Sequence, residues 1–151
     1  MNFQTESWRK IREEILPLTV QHWREMGLSG QELSLDEEKY SRMDADGSLL
    51  VVTARSDGKL VGYFLNFLCR HPHYEVLTAA MDVYFMLPEH RTGTNGSRLF
   101  QATENACREK GVGLMLATAR MDRVNGASRI FGKMGWQATR QVFEKRMVEH
   151  G

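Results

Sequence analysis

No apolar run in this chain approaches the roughly 20 residues of a membrane-spanning helix, so no span is expected. Neither sign of charge dominates. The 20 lysines and arginines face 19 aspartates and glutamates, a balance that argues against nucleic acid or an anionic membrane as partner. Cysteine is scarce: Cys69 and Cys107 stand far apart, match no disulfide framework or metal spacing, and are expected as reduced thiols. Met1 to Glu6 lack a basic region followed by an apolar one, so no signal peptide is expected, and the location expected is cytoplasmic. Repeats, low-complexity tracts and linkers are also missing.

What remains is a chain of 151 residues, 42% hydrophobic and 26% charged, which is one domain's worth of core. A single domain over 1–151 is expected. Trp8, Ile11, Ile15, Leu18 and His22 recur three or four apart, which predicts a helix over residues 6–26, kinked or interrupted at Pro17 and ended by Gly27. Asp36 to Tyr40 predicts a second, short helix. Leu49–Ala54 and Leu60–Leu68 flank Ser56-Asp57-Gly58-Lys59, and an Asp-Gly between β-rich runs predicts a hairpin. Beyond them the pattern gives a strand over Tyr74–Leu87, a helix over 96–110 and a strand over Val112–Thr118. A helix over 125–134 and a closing strand over Phe143–Val148 follow, and Asn2 to Gln4 is a candidate first strand.

The densest signal runs from Met81 to Gly113. An apolar stretch, Val83 to Leu87, stops at Pro88. A basic, glycine-bearing loop follows, Arg91-Thr92-Gly93-Thr94-Asn95-Gly96, and Ser97 then opens a helical pattern closed near Gly111. Strand, loop and helix N-terminus together make an anion cradle, because unpaired N–H groups and the positive helix end point at one spot. No Lys follows Gly96, so this is not a P-loop, and there is no G-x-G-x-x-G dinucleotide fingerprint.

The segment resembles the acetyl-CoA-binding motif of the GNAT N-acetyltransferases, Gln/Arg-x-x-Gly-x-Gly/Ala after a strand and a P-E-x-R-like turn. Pro88-Glu89-His90-Arg91 and Gly96 fit that frame. Thr94 stands where the first motif glycine is usual, with Gly93 one place early. Asn125 to Trp136 is similar to the family's N-x-x-A-x-x-L-Y-x-K-x-G-F segment, with Phe131 at the tyrosine position, and the order of elements matches along nearly the whole chain.

The resemblance implies an α/β GNAT fold: a mixed sheet of six to seven strands, four helices, and central strands splayed into an acetyl-CoA cleft. It implies an N-acetyltransferase that uses acetyl-CoA as co-substrate and a primary amine as acceptor, needs no metal, and could act as a homodimer. Tyr84, Phe85 and Met86 would lie along the pantetheine, with a Met86 N–H to hold the oxyanion. Arg91, Thr92, Gly93, Thr94, Asn95, Gly96 and Ser97 would hold the pyrophosphate, with Asn125 and Ser128 adding to the cofactor site. Phe131 would stand in the place of the acid that protonates the thiolate. A phenyl ring has no proton to give, so either another hydroxyl, such as Tyr84 or Tyr40, takes the role or the thiolate leaves unassisted. A catalytically weak, CoA-binding module of the same fold, acting through protein interaction, is the alternative that Thr94 and Phe131 suggest.

A lysine-like amine has a pKa of about 10.4 and must lose a proton before it attacks. Asp82 is the candidate base, since a carboxylate inside an apolar strand is costly without a task or a partner. An exposed strand end, or pairing with an arginine, would account for it equally. Cys69, His71 and His73 alternate, but no fourth ligand is evident, so His73 or His71 is read as an acceptor contact or base, or as part of a solvated turn. Glu32, Asp36, Glu37, Glu38, Asp44 and Asp46 outnumber Lys39 and Arg42 in the segment after the first helix, an acidic rim that would suit a cationic amine or serve only as a solvated face.

Overall fold

Polar caps and left-handed glycines set the ends of the helices in a computed structural model that describes residues 1–27, 32–121 and 124–148, without the side chains of 124–127. The elements run β1 (Asn2–Thr5), α1 (Trp8–Met26), α2 (Glu37–Asp46), β2 (Leu49–Ser56), β3 (Lys59–Arg70), β4 (Leu77–Met86), a 3-10 turn (Pro88–His90), α3 (Asn95–Glu109), β5 (Leu114–Leu116) and α4 (Val124–Lys133). Ser7 caps α1 through the Lys10 N–H, and Asp44 of α2 accepts from the Trp8 and Arg9 N–H groups at 3.1 and 3.3 Å. Gly27, at φ 61°, ends the helix. Pro17 does not interrupt α1. The carbonyl it leaves without a donor belongs to Glu13, an exposed residue, where water can replace the lost bond.

The chain divides into two compact units, Met1–Leu116 and Ala117–Gly151. The first holds a five-stranded sheet in the order β1-β2-β3-β4-β5, antiparallel except for the parallel β4–β5 pair. Five strands are fewer than the six to seven expected. α1 and α2 cover one face, where Trp8, Ile11, Ile15, Tyr63, Leu65 and Phe85 form a buried cluster with Tyr40, Met43 and Phe67 against it. On the other face Phe64, Tyr84 and Phe100 of α3 meet with ring centroids 5.0–5.6 Å apart. Alternation along β3 produces this division, Tyr63 and Leu65 facing one way and Phe64 and Asn66 the other.

In the second unit α4 ends at Lys133; Gly135, at φ 80°, turns the chain, and the Trp136 N–H returns to the Phe131 carbonyl at 2.9 Å. The strand expected over Phe143–Val148 is not formed. Residues 136–148 are in neither helix nor strand, and Phe143, Met147 and Val148 are exposed. The apolar pattern there lacks what makes a strand stable, namely a neighbouring ladder and a layer to cover one face. Among the described residues no helix is long and apolar enough to cross a membrane.

Candidate functional site

The chemistry-bearing residues gather along β4. β5 pairs with it only at Thr78, Ala79 and Ala80, while β4 continues to Met86 against β3. The Leu87 N–H bonds to the Val61 carbonyl at 2.8 Å, which fixes the alternation of the antiparallel ladder. Phe85 and Leu87 turn their backbone groups towards β3. Tyr84 and Met86 therefore turn theirs to the opposite edge, the side that β5 leaves after Ala80. Of the three residues expected along a pantetheine chain, Phe85 has its backbone committed to the sheet.

Register breaks once in this ladder. Leu65 faces Val83 and Asn66 faces Met81, so Asp82 is the extra residue of a β-bulge. A bulge re-aims its side chain, and Asp82 meets α2, where the Tyr40 hydroxyl donates to its Oδ2 at 2.5 Å. Burial raises the Asp82 pKa, and the Tyr40 hydrogen bond and the Lys39 charge only partly oppose it. Tyr40 is raised too, by burial and then by the carboxylate that accepts its proton. Its ring stacks on Trp8 at 4.7 Å. A half-buried carboxylate with a raised pKa, fixed in one direction, can take up a proton from a neighbouring donor.

Beyond Met86 the chain makes the 3-10 turn and enters α3. Gly93 is at φ 57°, the left-handed conformation that glycine adopts most readily, so the flexible position lies one residue before Thr94. Thr94 caps α3 without a side-chain bond. The Asn95 N–H bonds to the Thr92 carbonyl at 3.2 Å, and the first full helical bond runs from the Arg98 N–H to the Thr94 carbonyl at 2.9 Å. The Gly96 and Ser97 N–H groups between them point out of the helix end, an anion-binding arrangement. Asn95 itself turns inward, its Nδ2 on the His90 carbonyl at 3.0 Å. Arg91 is also engaged, with Nε on the Met86 carbonyl and Nη2 on Glu25, each at 2.7 Å.

The remaining sequence candidates fall on other elements. His71 and His73 occupy the turn before β4, where the His73 N–H meets His71 Nδ1 at 3.2 Å and His71 stacks on Tyr74. That turn is at the opposite end of β4 from the loop, and about 16 Å of strand separates Leu77 from Asp82. Among the described residues no three metal-ligating side chains come together. Phe131 packs on Trp136, with centroids 5.0 Å apart, and Ser128 is exposed on α4. The Asn125 side chain lies outside the described residues.

The acidic segment has structural work. Asp36 caps α2, Glu37 binds Arg12 at 2.6 Å, Asp44 caps α1, and Asp46 accepts from Ser48. Sequence reasoning missed the pairing of His22 Nδ1 with the Tyr63 hydroxyl at 3.0 Å, and the stacking of His22 on Phe85 at 4.8 Å. It also missed Asn66, fully buried beside the bulge with no partner for its Nδ2 among the described residues. The only signal available for Asn66 was an amide in an apolar run.

A strand edge that opens onto a glycine turn and a helix N-terminus, with a carboxylate set in the same strand, defines an α/β protein of the acyl-transfer type. Residues 8–136 match the model of the acetyltransferase (GNAT) family, and the chain belongs to that family. The fold is shared with solved structures of low sequence identity. A ribosomal-protein-alanine N-acetyltransferase from Brucella melitensis biovar Abortus 2308 superposes with a TM-score of 0.73 at 16% identity, over 97% of this chain and 100% of that one. An aminoglycoside acetyltransferase from an uncultured soil metagenomic sample gives 0.78 at 14%, over 98% and 95%. A predicted acetyltransferase with acetyl-CoA from Clostridium acetobutylicum gives 0.72 at 15%, over 97% and 96%. No curated protein sequence matches the chain.

Proposed function

We propose that the chain, as one acetyltransferase domain over 1–151, moves an acetyl group from acetyl-CoA to a primary amine by direct attack. The observation that carries this reading is the bulge that sets Asp82, bonded to Tyr40, in the strand whose far end leads into the loop and α3 N-terminus. Acetyl-CoA would lie along Tyr84 to Met86, with its pyrophosphate on the N–H groups between Thr92 and Ser97. Asp82 takes the proton of the acceptor ammonium, directly or through a water. The amine then attacks the thioester carbon, and the Met86 N–H, turned off the ladder, stabilises the oxyanion. Collapse breaks the C–S bond, and the proton left on the amide nitrogen passes to water or to the thiolate. The departing thiol has a pKa of about 8.5, low enough for the thiolate to leave with little assistance near neutral pH.

The acceptor is a small-molecule or protein amine, and the location is cytoplasmic. The names of the structural relatives span both acceptor types, and Asp36, Glu37, Asp44 and Asp46 after α1 serve as caps, an ion-pair partner and a turn acceptor, so neither charge nor likeness selects one. A CoA-binding module without turnover is the second reading, favoured by Phe131, whose ring has no proton to give and packs on Trp136. Thiol release measured over a panel of amines decides between them. Release that depends on an amine is expected. CoA binding with no release over any amine or protein lysate would leave the second reading standing.

A further inference from the structure

The one arginine of the loop is committed to the protein. Its Nε donates to the Met86 carbonyl and its Nη2 to Glu25 Oε2, both at 2.7 Å, and the guanidinium lies 5.3 Å from the Phe85 ring centroid. Glu25 belongs to the last turn of α1. A single side chain thus ties together the first helix, the end of β4 and the loop. Arg98, at the start of α3, is placed over Phe3 at 5.0 Å.

The Met86 carbonyl points to the same strand edge as the Met86 N–H. An uncovered carbonyl oxygen there would put partial negative charge beside a donor meant for an oxyanion. The guanidinium covers that oxygen and neutralises it. The same peptide is held from its other side by the Leu87 N–H on the Val61 carbonyl, at 2.8 Å. The Met86 N–H lies in the preceding peptide, Phe85–Met86, so holding the Met86–Leu87 peptide on both sides fixes the residue that carries the donor and offsets the opposing dipole.

We propose that Arg91 and Glu25 are a positioning pair for the Met86 peptide, and that Arg91 is not a phosphate contact. The inference rests on the acetyl-transfer reading above. Its sign can be tested, because Glu25 is an anion beside the loop. If Arg91 bound phosphate, removing the Glu25 charge would free the guanidinium and tighten acetyl-CoA binding. If the pair positions Met86, the same change loosens the strand end and slows transfer.

The experiment compares acetyl-CoA with S-acetylpantetheine, the same thioester without nucleotide or phosphate. Arg91→Met should lower kcat on both by a similar factor, about tenfold, the scale of a misplaced catalytic group rather than a deleted one. Glu25→Gln should lower kcat on both in the same direction and leave the acetyl-CoA KM unchanged. A rise in KM confined to acetyl-CoA in Arg91→Met, or a lower acetyl-CoA KM in Glu25→Gln, overturns the proposal. Should Arg91→Met not fold, Arg91→Lys serves in its place. Lysine keeps the charge a phosphate needs but lacks the planar fork that sets Nε on Met86 and Nη2 on Glu25, so loss on both thioesters supports the pair and retained activity refutes it. If the wild type turns over neither thioester, the acetyl-transfer reading has failed. Amide exchange then judges the pair: faster exchange at Met86 and Leu87 in Glu25→Gln supports it, and unchanged exchange overturns it.

Discussion

At the scale of single residues, Asp82, the proposed base, carries a cost in stability. Burial raises its pKa, so ionising it in the folded protein is harder than in the unfolded chain. The sign follows from linkage. A raised carboxyl contributes stability in full below its unfolded pKa, and that contribution is lost as pH climbs through the folded value. Asp82→Asn removes the ionisation, and its amide oxygen can still accept from Tyr40. The variant should melt higher than wild type at neutral pH, with the gain vanishing in acid, while amine turnover falls roughly 10²–10⁴-fold. Calorimetry at pH 7 and below pH 4, beside a turnover assay, checks both halves. A variant less stable at neutral pH would mean that the Tyr40–carboxylate bond outweighs burial. Glu6 has the opposite sign. Burial pushes its pKa up, but bonds from Arg55, Thr53, Gln4 and Lys10 outweigh this and hold it at about 2 against an ordinary 4.5. Its contribution is present above pH 4.5 and lost as pH falls towards 2. Glu6→Gln should cost about 3 kcal/mol at pH 7, the low end for breaking a buried pair, because Arg55 keeps Glu14 at 2.8 Å. Urea unfolding at pH 7 and pH 3 should show the difference shrinking in acid.

Among the elements, legibility followed how local the determining physics is. α1 was readable because Trp8, Ile11 and Ile15 repeat on one face, and all three are buried. The β2–β3 hairpin was readable because Asp57 and Gly58 supply the positive φ its turn requires. The strand expected over Phe143–Val148 failed because its pattern says nothing about whether a neighbour exists to bond it. The expected strand over Val112–Thr118 shortened to Leu114–Leu116 for a related reason, since ladder bonds to β4 define it only there. In the candidate site, Asp82 stood out as a charge in an apolar run. Its bulge and its bond to Tyr40 did not, because Tyr40 lies 42 residues away. The same holds for His22 with Tyr63, a contact made by the packing of α1 on the sheet. Arg91 was legible as a basic residue in an anion loop, but its bonds to Met86 and Glu25 depend on the path of two separate elements. Sequence marked the candidate residues, and tertiary packing decided what they touch.

For the molecule as a whole, the decisive quantity is the free energy that acetyl-CoA adds to the folded state. A ligand that binds only native protein stabilises it by mass action, by about 2.7 kcal/mol at a hundredfold excess over Kd. For a chain of this length each kcal/mol moves Tm by about 2–4 °C, so CoA or acetyl-CoA at that excess should raise Tm by roughly 5–10 °C. NAD and ATP should do much less. They offer phosphates to the Gly96 and Ser97 N–H groups, but they have no pantetheine to lie along the β4 edge beyond Ala80. Pantetheine alone should shift Tm weakly, because it lacks the anion. The ordering of CoA over ATP over pantetheine therefore separates the two halves of the binding surface. Scanning calorimetry over a ligand titration provides the check. An ATP shift equal to that of CoA would reduce the loop to a general anion site, and no shift with millimolar CoA would remove acetyl-CoA as the co-substrate.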